Sequence, residues 1–308
     1  MRVGSLFTGY GGLDMAVGGD LAWYSEIEPA ACKVLSSHHD APNLGDIKKI
    51  DWTTVAPVDV MTGGYPCQPF SHAGLRKGEN DERHLWPYIR EGISVLRPRL
   101  VLLENVRGHV TLGLREVLGE IAELGYGARW GVVRASDAGA PHQRARVFIA
   151  AYPAALRLQR SEPFGFPFSV SEWATNDSRN STATDTDSGG HGEQQDTRRV
   201  GSVEEHAEGE ASERQRSRQE PASGVDWGQY GYAIARWERV TGRKAPAPTV
   251  NNGKTRLNPA MVEWMMGLPE GWVTGHDLTP TQELKMLGNG VVPQQARLAI
   301  QLLERMGK

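Results

Sequence analysis

Arg99 and Glu104 bracket four consecutive apolar residues, Leu100-Val101-Leu102-Leu103. The run is too short for a helix and shows no polar alternation. It therefore predicts a strand that buries both faces, as strands of parallel sheets do. Such a sheet needs helices on both sides, and the surrounding sequence has the matching rhythm. Val3 to Phe7 reads as a strand, followed by a Gly-rich turn and an apolar helical pattern. Leu21 to Ser25 is a second strand, followed by a helical stretch through Cys32 and Leu35, and Val58 to Met61 a third. Val117 to Leu124 is helical, and Tyr126 to Val133 and Val147 to Ala151 are further strands. This alternation predicts an α/β fold with a mostly parallel sheet. Gln294 to Arg305 forms an amphipathic helix whose Leu298, Ile300, Leu302 and Leu303 need a partner surface, expected to be that sheet.

A length of 308 residues suggests about two domains at roughly 100–200 residues each. Hydrophobic residues make up only 39% of the chain, and one segment accounts for the deficit. Between Thr175 and Glu220 there is no Leu, Ile, Met, Phe, Tyr or Trp, and the branched aliphatics are Val200 and Val203 alone. Such a stretch cannot bury enough apolar surface to offset its conformational entropy, so disorder is expected over 175–220. That segment also holds eleven acids and six arginines, which turns an overall charge of −3 into a weakly basic remainder of +2. A local groove for nucleic acid is compatible with that balance, although the balance does not itself argue for one. The two cysteines, Cys32 and Cys67, exclude a disulfide framework and fit a reducing cytoplasm. Cys32, inside an apolar helical stretch, reads as a small core residue. The nine histidines form no ligand-like cluster, and no metal site is predicted. No apolar run reaches the roughly 18 residues of a membrane span, and Met1 to Tyr10 lacks the apolar centre of a signal peptide. The expected location is the cytoplasm, with no membrane partner.

Four places carry chemistry. Phe7-Thr8-Gly9-Tyr10-Gly11-Gly12 follows the first strand, where glycines let a ligand approach the backbone. The dinucleotide fingerprint needs a further glycine at position 14, which is Asp14, so a nucleotide turn of another kind is indicated and NAD is disfavoured. The second strand ends in Ser25-Glu26-Ile27-Glu28, and a carboxylate there commonly holds ribose hydroxyls. With the glycines, Glu26 implies an adenosine-like cofactor, and Asp46 could read its adenine. The third place is Gly63 to Ser71, where Cys67 lies between glycines and prolines in a loop that can face a cleft, as a thiolate nucleophile must. The fourth is Glu104-Asn105-Val106, directly after the buried strand, where a carboxyl group can carry a raised pKa and act as a general acid. All four lie at carboxyl ends of strands, where open α/β sheets bind ligands.

These residues resemble the DNA cytosine carbon-5 methyltransferases, which use S-adenosyl-L-methionine. The resemblance rests on Phe7 to Gly12, Glu26, Pro66-Cys67-Gln68-Pro69-Phe70-Ser71, Glu104-Asn105-Val106, Gln143 to Arg146, Arg256-Leu257-Asn258-Pro259 and Leu287 to Pro293. It covers about 1–151 and 256–308. It implies a Rossmann-like S-adenosylmethionine-dependent fold with helices on both faces of the sheet and a small target-recognition domain. Residues 1–152 would form the catalytic and cofactor domain, completed by 277–308, with 153–276 as the target-recognition region. Cys67 would add to carbon 6 of a flipped-out cytosine, Glu104 would hydrogen-bond the ring, and Arg146 with Arg144 would hold the base and its phosphate side. Phe7, Gly9, Gly11, Gly12 and Asn289 would meet the methionine end of the cofactor, Glu26 the ribose, Ile27 the adenine face and Asp46 the adenine amino group. Double-stranded DNA would be the substrate, a cognate restriction endonuclease a partner in the same system, and a monomer the working form. The polar loop from Ser71 to Trp86 would close over the base.

His142 stands where many members have Gln, and the recognition region is short. Within it, Trp227, Tyr230, Tyr232 and Trp237 interleave with Arg236, Arg239, Arg243 and Lys244, which suits stacking on and gripping DNA or, equally, a small helical core. Two other enzymes and a silent binder compete with this reading. A tRNA cytosine methyltransferase would share the framework, but the Cys-Phe-Thr signature usual for that type is absent. A thiol hydrolase would pair Cys67 with His72 or His142 and leave the Gly-rich turn unexplained. A catalytically silent DNA-binding protein would have no use for an intact Cys67, Glu104 and Arg146.

Overall fold

The computed structural model describes residues 1–66, 85–155, 225–251 and 254–306. Cys67, most of the loop 71–86 and the polar segment 175–220 lie outside the described residues. A six-stranded sheet is built from β1 (Arg2–Leu6), β2 (Asp20–Ser25), β3 (Val60–Gly64), β4 (Leu100–Val106), β5 (Tyr126–Val133) and β6 (Arg146–Pro153), in the order β2-β1-β3-β4-β6-β5. The first four strands pair in parallel. β6 enters between β4 and β5 and pairs antiparallel with both. The sheet is therefore mostly parallel, as expected, with a reversed last strand. The chain between β5 and β6 makes only a short 3-10 turn, Ala135–Ala138, with no helix to carry it back across the sheet. A parallel pairing needs such a crossover, so the chain turns back as a hairpin.

The strand that anchors the fold behaves as its composition requires. Val101 and Leu103 of β4 join one hydrophobic cluster, while Leu100 and Leu102 join another. β6 divides in the same way, with Val147 and Ile149 on one side and Phe148 and Ala150 on the other. One face is covered by α3 (Trp86–Leu96) and α4 (Leu114–Glu123), through Trp86, Ile89, Ile93, Val117 and Ile121. The opposite face is covered by α1 (Gly12–Val17) and the final helix α8 (Pro293–Arg305), through Leu13, Val17, Ala299, Ile300 and Leu303. Full burial of a side chain such as Ile300 contributes about 1.5–3 kcal/mol.

A third cluster joins segments distant in sequence. It contains Ala31 and Val34 of α2 (Pro29–His38), Ile234 and Trp237 of α5 (Gly231–Thr241), Trp264 of α6 (Pro259–Met265), and Leu287 of α7 (Pro280–Asn289). Asn258 and Pro259 of the Arg-Leu-Asn-Pro motif start α6. The Asn258 side chain accepts the Ala260 N–H at 3.1 Å, and proline, which has no N–H to leave unpaired, takes the first helical position. Trp237 is fully buried rather than presented to a ligand, and its indole N–H donates to the Trp264 carbonyl at 2.8 Å. Arg236 and Arg243 donate to main-chain carbonyls of Gly139 and Leu268. Tyr230 and Tyr232 remain open to solvent, as does the ribbon of β7 (Thr249–Asn251) and β8 (Thr255–Leu257). Cys32 also departs from expectation. It is half-buried, with its sulfur between the Glu26 carbonyl at 3.4 Å and the Asn43 amide at 3.3 Å, because it sits on the face of α2 that turns toward the β2 loop.

Candidate active site

One cleft opens at the carboxyl ends of β1, β3 and β4 and is closed on its far side by the end of α7. The Gly-rich turn forms its near wall. Gly9 and Gly11 take φ of +57° and +83°, left-handed values that glycine adopts at no steric cost. Phe7 also has positive φ, at +52°, which turns the chain sharply out of β1. Gly12 must lack a side chain because a Cβ would overlap the Val291 carbonyl. Gly290 faces Tyr10 in the same way, and the buried Tyr10 hydroxyl donates to the Val291 carbonyl at 2.8 Å. The turn after β1 and the loop carrying Asn289 are thus interlocked, which is how a C-terminal segment comes to wall an N-terminal cleft.

Glu26 follows β2 and faces this turn. One carboxylate oxygen accepts the Gly9 N–H at 2.8 Å, and the other accepts the N–H groups of Ile27 and Glu28 at 2.8 Å each. A carboxylate offers about four acceptor positions, so about one is left for a ligand hydroxyl. Phe7, Gly9, Gly12, Glu26, Glu104 and Asn289 line this one cleft. An adjoining pocket is lined by Phe7, Glu26, Ile27, Asp46, Pro66 and Leu85. Ile27 is 70% exposed beside it, an apolar surface fit for a flat aromatic ring. Asp46 uses one carboxylate oxygen to cap the short helix Ile47–Lys49 through the Lys48 N–H.

Glu104 lines the main cleft, across from Gly64 in the β3–β4 register. It is 7% exposed, and its Oε1 lies 2.9 Å from Nε of Arg146. Burial pushes its pKa up to about 7, although the guanidinium groups of Arg146 and Arg144 pull the other way. Desolvation wins because the side chain is shut off from water on nearly every side. The reversed direction of β6 puts Arg146 here. As the first residue of an antiparallel strand it lies at the carboxyl end of β4, paired with Val106.

Arg144 is close by but turned elsewhere. Its φ is +35°, and one guanidinium nitrogen donates to the carbonyls of Gly288 and Gly290. It therefore ties the segment before β6 to the loop carrying Asn289. The His142 side chain is likewise engaged, with Nε2 on the Met265 carbonyl at 3.0 Å. The root of the Cys67 loop is held from β4. Asn105 donates to the Tyr65 carbonyl at 3.1 Å, and the Tyr65 hydroxyl meets Nε2 of buried His109 at 2.7 Å.

Three residues of consequence carry no local signal in the sequence. Glu263 is fully buried and accepts from the N–H groups of Gly271, Val273 and Thr274 and from the Thr274 hydroxyl, holding the loop that leads to α7. Gln295 donates to the carbonyls of Val133 and Arg144 at 2.8 and 2.7 Å, pinning the β5–β6 connection to α8. Asp14 lines the floor of the cleft. Only the periodicity of α6 hints that Glu263 faces inward. Among the described residues no group of three or more His, Cys, Asp or Glu is arranged to hold a metal ion.

The charges of the cleft indicate what it accepts. Asp14, Glu26 and Glu28 line it against Lys285, which is 3.2 Å from Glu28. Such a wall repels phosphates and favours a ligand with positive charge.

A family profile described as C-5 cytosine-specific DNA methylase matches residues 1–305. The chain is similar to the type II methyltransferase M.BanI of Aneurinibacillus aneurinilyticus, 36% identical over 130 residues, covering 41% of this chain and 30% of that protein. It is also similar to the type II methyltransferase M.NgoMIV of Neisseria gonorrhoeae, 34% identical over 132 residues, covering 41% of this chain and 42% of that one. The matched stretches thus span less than half the length of these curated relatives. Among solved structures, the S. pombe Dnmt2 methyltransferase superposes with a TM-score of 0.58 at 17% identity, covering 100% of both chains. A Spodoptera frugiperda DNMT2 mutant does so with a TM-score of 0.56 at 16% identity, covering 98% of this chain and 99% of that one. At such identity the likeness is one of fold. The match from β1 to α8, on an architecture with Glu104 and Arg146 paired at its cleft, places the chain in the C-5 cytosine-specific DNA methylase family.

Proposed function

We propose that the protein transfers a methyl group from S-adenosyl-L-methionine to carbon 5 of a cytosine flipped out of a short double-stranded DNA sequence. The observation that carries the reading is a buried carboxyl group of raised pKa, paired with Arg146, in the same cleft as the Gly-rich turn and Glu26. The cofactor would be held by Glu26 at the ribose, by Ile27 and Asp46 at the adenine, and by Phe7 to Gly12 and Asn289 at the other end. Bound there, it supplies an electrophilic methyl group on a sulfonium.

The chain must make carbon 5 nucleophilic, which it is not in neutral cytosine. The Cys67 thiolate adds to carbon 6, forming a carbon–sulfur bond and pushing the ring electrons toward carbon 5. Glu104, protonated near neutrality, donates its hydrogen bond to the ring nitrogen that gains charge in this addition. Arg146 fixes the direction of that carboxyl group, and Arg144 braces the neighbouring loop that carries Asn289. After methylation a base removes the carbon 5 proton, the ring electrons return, and the thiolate leaves. A stacked base exposes none of these atoms, so flipping is required. Tyr230 and Tyr232 and the ribbon carrying Lys254 and Arg256 offer an exposed aromatic and basic surface for the DNA around the target. The relatives named as type II methyltransferases support a cognate restriction endonuclease in the same system. We take the protein to act as a cytoplasmic monomer. No helix among the described residues is long and apolar enough to cross a membrane.

Base-resolution methylation sequencing of DNA from a methylation-free host expressing the protein tests this reading, beside a Cys67→Ser control. Methylated cytosines confined to one short motif and absent from the control are expected. Absence of DNA methylation from cells that accumulate folded, cofactor-binding protein would overturn the DNA assignment and direct attention to RNA.

A further inference from the structure

Asp14 is a half-buried acid lining the cleft for which the proposed reaction has no use. Its helix, α1, lies across the sheet at β1 and β3, so the side chain meets residues of both strands. Oδ2 accepts from the Ser5 hydroxyl at 2.7 Å, and Oδ1 accepts from the Thr62 hydroxyl. Ser5 and Thr62 are register partners on β1 and β3, which places the carboxylate on the floor between the two strands. Among the described residues no lysine or arginine forms an ion pair with it, and Arg297, which α8 brings against α1, donates to the Met15 carbonyl at 3.1 Å. Burial raises its pKa to about 6, the behaviour of a carboxylate that lacks a counter-charge.

Its level in the sheet sets it apart from the other acids of the cleft. Glu104 is opposite Gly64, two residues further along β3 than Thr62, or roughly 6–7 Å toward the mouth. Glu26 lies beyond the end of β2, where Ser25 pairs with Leu6. A ligand with its ribose at Glu26 and its reactive centre toward Glu104 has one arm left for the floor. We propose that Asp14 is the counter-ion for the α-ammonium group of the amino-acid arm of the cofactor. The inference rests on the cofactor reading given above and extends it to a named polar contact. Two hydroxyl donors already orient the carboxylate, and each oxygen keeps acceptor capacity for an ammonium N–H.

Calorimetric titration with two probes separates this proposal from the reading beneath it. S-adenosylhomocysteine carries the amino-acid arm, whereas 5′-methylthioadenosine ends at the thioether. The wild-type protein is expected to bind both. Asp14→Asn is expected to weaken S-adenosylhomocysteine by about tenfold or more and to leave 5′-methylthioadenosine within about twofold. Unchanged S-adenosylhomocysteine affinity, or an equal loss for both probes, overturns the proposal. If Asp14→Asn does not fold, the wild-type protein still decides. The desamino analogue of S-adenosylhomocysteine should bind about tenfold more weakly than the parent, and equal binding refutes the contact. Wild-type protein that binds none of these ligands overturns the cofactor reading itself, and the proposal falls with it.

Discussion

Replacing Glu104 by glutamine measures how far the fold has perturbed its central acid. In the unfolded chain this carboxyl group titrates at its ordinary value of 4.5, whereas in the folded protein burial holds it at about 7. The folded state therefore keeps a proton that the unfolded state has already released. Wherever the folded state binds more protons, stability falls as pH rises. The penalty starts to build near the unfolded pKa and levels off above the folded one. Its full size is about 3 kcal/mol, at 1.36 kcal/mol per unit, and about 2 kcal/mol of that accumulates between about pH 5.5 and about pH 8. Glutamine has nearly the same shape and no such titration. Its stability relative to wild type should therefore improve by about 2 kcal/mol across that interval, whatever constant difference the substitution itself causes. Urea unfolding of both proteins at the two pH values gives this double difference. The side chain is 9% exposed, so solvent screening removes little of it. A double difference near zero would refute the reasoning, since Glu104 would then ionise at its ordinary pKa. A reversed sign would show that Arg146 outweighs burial.

Other outcomes are expected from the same geometry. Cys67→Ser should abolish methyl transfer yet keep cofactor affinity, and DNA containing 5-fluorocytosine should trap an adduct that peptide mapping places at Cys67 and not at Cys32. Glu263→Ala strands three main-chain N–H groups and a hydroxyl inside the fold and should cost about 3 kcal/mol or more in denaturant unfolding. Gly290→Ala drives a methyl group into the Tyr10 ring and should weaken S-adenosylhomocysteine binding in calorimetry through displacement of the Asn289 loop, together with a loss of thermal stability. Removal of residues 177–218, which hold almost nothing to bury, should leave the midpoint of thermal unfolding within a few degrees of wild type, and a cooperative collapse would show that segment to be part of a core.

The strands were legible because their information is local. β5 has the predicted bounds, β1 and β2 differ from theirs by a residue, and β4 continues the apolar run through Val106. A strand buried on both faces needs apolar residues in succession, and few other structures tolerate four of them beside charged neighbours. For β3 the local pattern points to Val58 to Met61, whereas the strand is Val60–Gly64. Its glycines read locally as loop formers, but pairing with β1 and β4 supplies the hydrogen bonds that keep them extended. Cys32 lies outside the core because a ten-residue helix offers several faces, and only packing decides which one is covered.

Sequence by itself therefore determined most of the strands, the order of motifs along them, and the acids and glycines at the strand ends. Short-range pattern suffices for these, since period, turn chemistry and charge are properties of neighbouring residues. Tertiary structure decided the rest. It reversed β6 and so delivered Arg146 to Glu104. It turned Arg144 onto the carbonyls of Gly288 and Gly290, locked Tyr10 beneath the C-terminal loop, and left Asp14 on the floor of the cleft. Each of these depends on the burial of a charge or on a contact between residues far apart in the chain. Desolvation and long-range contact exist only once the chain is folded, which is why no local pattern records them.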